Sequence, residues 1–217
     1  SKNLSKWMKP EKRKPNFPLG LLGAKAFIHN QPYGVVGIIS PWNFPLNLSL
    51  GPLVEVFAAG NNAMMKLSEF VPETSDLTEK LVKQYFNDDE VVVINGGPQT
   101  SQSFAGLAFD HLLFTGSTHI AKKIAYEASE NLVPLTLELG GKSPVIVGPK
   151  AKMKKSVDKI MMGKLLNAGQ ICISPDYVFL PEGKENEFVE HAKAYVQESY
   201  ETLKNNPDYT SIIHLNH

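Results

Sequence analysis

Apolar residues along the chain fall into two alternating kinds of run. Short, largely β-branched stretches occur at Val35 to Ile39, Ala63 to Leu67, Val91 to Ile94, His111 to Thr115, Leu135 to Leu139, Pro144 to Val147 and Tyr177 to Leu180. Their length and composition predict strands. Between them apolar positions recur at helical spacing. Leu77, Leu81, Val82, Tyr85 and Phe86 share one predicted face. So do Val157, Ile160, Met161, Leu165 and Ala168, and likewise Phe188, Ala192, Tyr195, Val196 and Ser199. Leu46 to Ala59 predicts a further helix, kinked at Pro52, whose ring removes a backbone donor. Residues 1–30 show no sustained period and predict an irregular arm with one extended piece, Ala24 to His29.

Strands alternating with helices predict βαβ units and a mainly parallel sheet covered on both faces. In such α/β folds ligands gather at the carboxyl ends of the strands. That directs attention to the loops Ser40 to Pro45, Ser68 to Val71, Asn95 to Pro98, Gly116 to Thr118 and Gly140 to Ser143. A domain boundary is expected near Gly141 to Ser143, where the opening strand pattern ends.

Composition removes several function classes. Lys plus Arg number 22 and Asp plus Glu number 22, so the net charge is zero. A nucleic-acid binder needs excess cation to displace counterions from phosphate, and a basic membrane-surface protein needs it too. The lysines near the start read as a solvated segment. No apolar run approaches the roughly 20 residues that span a bilayer. The basic start is not followed by an apolar stretch, so it does not read as a signal peptide. One cysteine, Cys172, excludes an internal disulfide framework and fits a reducing, cytoplasmic compartment. The six histidines are scattered without cysteine partners, so no metal site is expected.

Several loops carry candidate chemistry, each with a plainer alternative. The dinucleotide fingerprint G-x-G-x-x-G does not follow the first strand. Gly116-Ser117-Thr118 opens a predicted helix and could hold a phosphate on free amides, or merely cap the helix. Asn43, between Pro41 and Pro45, could donate its amide to an oxyanion, or cap the next helix. Lys66 and Glu69 could hydrogen-bond a ribose, or form a surface pair. Glu138 ends an apolar strand, where burial would raise its pKa and suit a general base; a structural ion pair is the alternative. Cys172 follows the small residues Asn167-Ala168-Gly169 and could be a nucleophile or a buried structural thiol.

Together these stretches resemble one family, the aldehyde dehydrogenases. The resemblance rests on PWNFP at Pro41 to Pro45, MKLSE at Met65 to Glu69, FTGST at Phe114 to Thr118, LELGGKSP at Leu137 to Pro144 and NAGQICIS at Asn167 to Ser174. Pro175-Asp176-Tyr177 looks most like the class 3 and coniferyl aldehyde dehydrogenase branch. The resemblance implies a Rossmann-like parallel sheet, with 31–142 as the NAD(P)-binding domain, 143–217 as an incomplete catalytic domain, and 1–30 as the pairing arm of a homodimer. It implies that Cys172 is the nucleophile, Glu138 the general base and Asn43 the side-chain oxyanion donor. Ile39, Ser40, Pro41 and Trp42 line the cofactor. Lys66, Ser68 and Glu69 lie at the adenosine ribose, Gly97 and Pro98 at the adenine, Gly116 and Ser117 at phosphate, and Leu139 and Gly140 beside the nicotinamide.

Two departures qualify the match. Where the family commonly has G-S-T-x-x-G, this chain has Ala121 at the last position. Glu69 would accept from a free ribose 2′-OH and repel a 2′-phosphate, which favours NAD while NADP stays open. Family members are roughly twice this length, and the segment that holds the nicotinamide ribose is missing. The expectation for this chain alone is low or no turnover. Two other readings stay open: a cofactor-binding fragment without catalysis, and a relative that passes the acyl group to coenzyme A.

Overall fold

A computed structural model describes residues 2–215. They form two compact units, one of residues 2–115 with 119–138 and the other of residues 116–118 with 139–215. The arm predicted as irregular is partly ordered. It holds a one-turn helix α1 (Leu4–Trp7) and an antiparallel pair, β1 (Glu11–Arg13) with β2 (Ala26–Ile28). The extended piece expected at Ala24 to His29 contains β2. Its partner was invisible because three exposed polar residues carry no alternation.

The main sheet of the first unit is built from five strands: β3 (Val35–Ile39), β4 (Asn62–Lys66), β5 (Val91–Ile94), β6 (His111–Gly116) and β7 (Leu135–Leu139). Helices α2 (Asn47–Ala58), α3 (Pro72–Tyr85), α4 (Pro98–Ala105) and α5 (Thr118–Ser129) connect them. The strand order is β5-β4-β3-β6-β7, and the pairs of β3 with β4, β3 with β6 and β4 with β5 are parallel. Central β3 is buried over Val36 to Ile39, as a strand covered on both faces must be. Val36, Ile38, Leu53, Ala63, Met65, Val82, Val91 and Val93 form one apolar cluster. Gly37 is required in β3, because a Cβ there would come within 2.8 Å of the Phe109 ring and 2.7 Å of Leu112.

The register puts the carboxyl ends of the central strands level. Ile39 pairs with Lys66 and with Phe114, and Lys66 pairs with Ile94. The loops after β3, β4 and β5 therefore leave along one edge. Strand order reverses between β3 and β6, the kind of switch point at which open α/β sheets bind ligands.

Helix α3 corrects one prediction. Its buried residues are Ser75, Thr78 and Val82, whereas Leu77, Leu81 and Tyr85 are exposed. Phe86 lies past the helix end, with its ring 5.6 Å from Phe57. The polar side can face inward because its hydroxyls are satisfied locally. Ser75 donates to the Ser68 carbonyl at 3.0 Å and Thr78 to the Thr74 carbonyl at 2.7 Å. Helix α4 was not predicted. Its apolar residues are confined to its last turn, although Pro98 at its first position is a usual start. Helix α2 carries Pro52 in its interior, as expected.

The second unit holds a parallel pair, β8 (Ser143–Ile146) with β9 (Pro175–Phe179), and two helices, α6 (Met153–Leu165) and α7 (Glu185–Ser199). Val147, Met153, Val157 and Ile160 form its core, joined by Val145, Val178, Phe188 and Ala192. Ala168 leaves the predicted helical face. It follows α6 in a tight turn with φ 53°. Among the described residues no helix is long and apolar enough to cross a membrane.

The burial pattern separates two substitutions of similar chemistry. Met65, fully buried, should cost about 2–5 kcal/mol when changed to Ala. Leu77→Ser on the open face of α3 should stay within roughly 0.5 kcal/mol of the parent. Urea titrations of both variants check the pair.

Candidate active site

The loop after β3 is fastened at both ends. The Ser40 amide donates to the Lys66 carbonyl at 3.1 Å, extending the ladder one step past β3. Ser49, wholly buried in α2, donates its hydroxyl to the Pro45 carbonyl at 2.6 Å, and the Leu48 amide donates to the Phe44 carbonyl. Pro41, Trp42 and Asn43 are half-buried between these anchors. Two prolines and an anchored exit limit how far the Asn43 amide can wander, which a preorganised donor needs.

Lys66 and Glu69 are not a surface pair. The Lys66 side chain is 1% exposed, and its ammonium donates to the Leu67 carbonyl at 2.7 Å and to Glu69 at 3.1 Å. Glu69 is 33% exposed, so the pair has a buried cation and a solvent-facing carboxylate. Ser68, also buried, turns the chain here, and its hydroxyl accepts from the Phe70 amide at 3.3 Å. After β5, Gly96 takes φ 148° and a side chain there would collide with Thr100. Gly97 caps α4, Pro98 starts it, and open space surrounds Gly97. After β6 the chain passes through Gly116 and exposed Ser117 into α5.

Glu138 differs from its prediction. β7 is an edge strand and Glu138 is exposed, so the desolvation expected at the end of a buried strand is absent. Leu139 is half-buried and Gly140 is exposed. Both belong to the second unit, as does Cys172, whereas Asn43 and Glu138 belong to the first.

Cys172 is exposed, which removes the buried structural thiol as a reading. It sits in the turn Ile171 to Ser174, closed by the Ser174 amide donating to the Ile171 carbonyl at 3.1 Å. Ahead of it Asn167, Ala168 and Gly169 take φ of 51°, 53° and 76°. For Ala168 that conformation costs about 1–2 kcal/mol, the kind of strain that gathers at working sites. Sequence reasoning missed Ser49 and the contacts of Gln170, since neither a helical serine nor a glutamine has a motif that announces its partner.

An elongated anionic cofactor can be tested against the level strand edge. Ser40 keeps a buried hydroxyl with no hydrogen-bond partner. Glu69 offers a carboxylate, Lys66 fixes it, and Gly97 leaves room for close approach. This donor set fits a dinucleotide with free ribose hydroxyls. Among the described residues no group of three or more His, Cys, Asp or Glu could hold a metal.

Comparison with known proteins meets this geometry. The model of the aldehyde dehydrogenase family matches residues 5–217. The chain belongs to the aldehyde dehydrogenase family. A probable coniferyl aldehyde dehydrogenase of Caulobacter vibrioides is 56% identical over 99% of this chain, which spans 44% of that relative. The 4,4′-diaponeurosporen-aldehyde dehydrogenase of Staphylococcus aureus is 39% identical over the whole chain, which spans 47% of its length. Among solved structures, a substrate-bound Staphylococcus aureus AldH superposes with a TM-score of 0.92 at 38% identity. That match covers 99% of this chain and 47% of the other. An aldehyde dehydrogenase of Mycobacterium tuberculosis complexed with NAD+ superposes with a TM-score of 0.77 at 27% identity, over 87% of this chain and 38% of its own. The chain thus spans under half the length of the relatives it matches. The parallel sheet expected from the sequence is the family's.

Ser40→Ala gives a direct reading of the orphan hydroxyl. Removing a buried hydroxyl without a partner should leave the melting temperature unchanged or raise it, since about 1–3 kcal/mol of desolvation goes unrepaid at such a group. A clear fall in a calorimetric melt would show that the hydroxyl is satisfied in the unliganded protein.

Proposed function

We propose that the protein oxidises an aldehyde to its carboxylic acid with NAD+ or NADP+, using Cys172 as the nucleophile. The observation that carries the reading is the buried Lys66 ammonium bonded to Glu69 at the level strand edge, where a dinucleotide fits. Lys66, Ser68 and Glu69 would hold the adenosine ribose, and Gly97 and Pro98 the adenine. Gly116 and Ser117 would take phosphate, Ile39 to Trp42 would line the cofactor, and Leu139 and Gly140 would flank the nicotinamide. When bound, the nicotinamide supplies the hydride acceptor.

The chain's own residues do the remaining work. The Cys172 thiolate adds to the carbonyl carbon, and the C=O electron pair moves onto oxygen. The Asn43 amide and the Cys172 backbone N–H donate to that oxyanion. Once the carbon has lost hydride, a thioester remains on Cys172. Glu138 takes a proton from water, the resulting hydroxide adds to the thioester, and the thiolate leaves with release of the acid. Its exposed position suits a group that must admit water. An aromatic, coniferyl-like aldehyde is the substrate class suggested by the similarity to the Caulobacter relative.

The domain reading goes with this proposal: 31–142 bind the cofactor, 143–217 begin the catalytic domain, and 1–30 pair subunits in a homodimer. The β1–β2 pair, with Phe27 and Ile28 exposed, supports the last part. A cytoplasmic location is consistent with the lone thiol.

Incubated with coniferyl aldehyde and NAD+, this chain alone, under half the length of its relatives, should turn over slowly or not at all, whereas a protein of the relatives' full length that contains it should yield NADH and the acid. Cys172→Ala should yield neither, while binding NAD+ within about twofold of the parent by calorimetry. Asn43→Ala should lower kcat about 10²–10³-fold. Glu138→Gln should release one equivalent of NADH and then stall as the thioester. NADH from the Cys172→Ala variant would reject the nucleophile. Acyl-CoA formed in the presence of coenzyme A would favour the acyl-transferring alternative.

A further inference from the structure

The Gln170 side chain, two residues before Cys172, joins two stretches of the second unit that are far apart in sequence. Its amide nitrogen donates to the Asn167 carbonyl at 3.0 Å and to the Ser211 carbonyl at 3.2 Å. Its amide oxygen accepts from the Ile213 backbone N–H at 2.9 Å. The Asn167 carbonyl also accepts from the Gln170 backbone N–H at 3.0 Å, so the side chain and main chain of one residue meet on one oxygen. A carboxamide can donate and accept along a passing stretch of backbone at once.

This bridge spans the left-handed run. Asn167, Ala168 and Gly169 all sit at positive φ, and Gly169 lies where a Cβ would come 3.1 Å from the Lys164 carbonyl and 3.5 Å from the Ser174 hydroxyl. Asparagine tolerates that conformation, but an alanine does not hold it unaided; surrounding contacts must over-determine it. Gln170 supplies them from residues 211–213. The direction in which the run exits determines where the Ile171–Ser174 turn presents Cys172.

We infer that Gln170 and the backbone of residues 211–213 form a clamp that positions the Cys172 turn. Gln170 is a positioning residue, and the 211–213 segment is part of the active-site support although no motif marks it. The inference rests on Cys172 being the nucleophile proposed above, but its physical content, coupling between the Ile213 amide and the cysteine turn, can be measured without turnover.

The chain's one thiol is Cys172, which makes the measurement clean. Iodoacetamide alkylation at one fixed pH reports access to the thiol, and hydrogen exchange of the Ser174 amide reports closure of the turn. Gln170→Met keeps the shape and removes the clamp. Ile213→Pro removes the distal donor from the bridge and fixes φ at that position, whereas Ile213→Ala keeps the donor. Gln170→Met and Ile213→Pro should each speed Ser174 exchange and change the alkylation rate by about three- to tenfold, the range of one lost hydrogen bond. Combined, they should do no more than the larger single change, because both break one bridge. Amides of the β8–β9 pair should keep the parental exchange rate in both, which general loosening of the fold would not allow, and Ile213→Ala should match the parent. If Gln170→Met does not melt cooperatively, Gln170→Glu together with Ile213→Pro carries the test. Parental exchange and alkylation in Ile213→Pro would overturn the clamp. Aldehyde oxidation that survived Cys172→Ala would instead reject the function, and leave the coupling standing.

Discussion

A lysine ammonium at the end of the second central strand is the constraint around which the first unit is organised. A side chain 1% exposed cannot carry charge without local compensation. Lys66 obtains it from the Leu67 carbonyl and the Glu69 carboxylate. That requirement bends the chain sharply after β4 and keeps Ser68 inside the bend. It also fixes an acid at the rim of the sheet. The Lys66 carbonyl receives the Ser40 amide, so the same residue ties the β3 loop to the β4 loop. A pair whose cation lies this deep adds little net stability, because desolvation of the ammonium offsets attraction. What it does is hold the Glu69 carboxylate at the rim of the sheet.

Much of this was legible in the sequence because the signals were long or chemically distinctive. β3, β5 and β7 carry the predicted bounds, and the others shift by one or two residues. What failed had physical reasons. Helix α3 turns Ser75 and Thr78 inward because their hydroxyls bond backbone carbonyls of the same stretch, a satisfaction that hydrophobic periodicity cannot register. The β1–β2 pair is too short to show alternation. Glu138 read as buried because its strand is apolar, yet β7 lies at the sheet edge. Edge and centre strands of similar composition differ only in what lies beside them, and that is a property of topology.

The candidate site shows the same division. Lys66, Glu69 and the Pro41–Pro45 loop could be found from residue type and spacing. The supports could not. Ser49 beneath Pro45, and Gln170 reaching residues 211–213, act through hydrogen bonds to backbone atoms. No motif marks which backbone atom a side chain will meet, so residue identity gives no warning of these contacts.

The close approach of the Phe109 ring to the backbone at Gly37 ties the histories of two positions together. A methyl group beside β3 would also meet Leu112 at 2.7 Å, so a larger residue at 37 becomes tolerable only after the side chain at 109 has shrunk and Leu112 has moved aside. If the larger residue at 37 comes first it collides with the ring; if the ring is trimmed first it leaves a void that a side chain at 37 could refill. Divergence in this sheet therefore proceeds through paired exchanges in a set order, so that the harmlessness of one change depends on whether the other came before it.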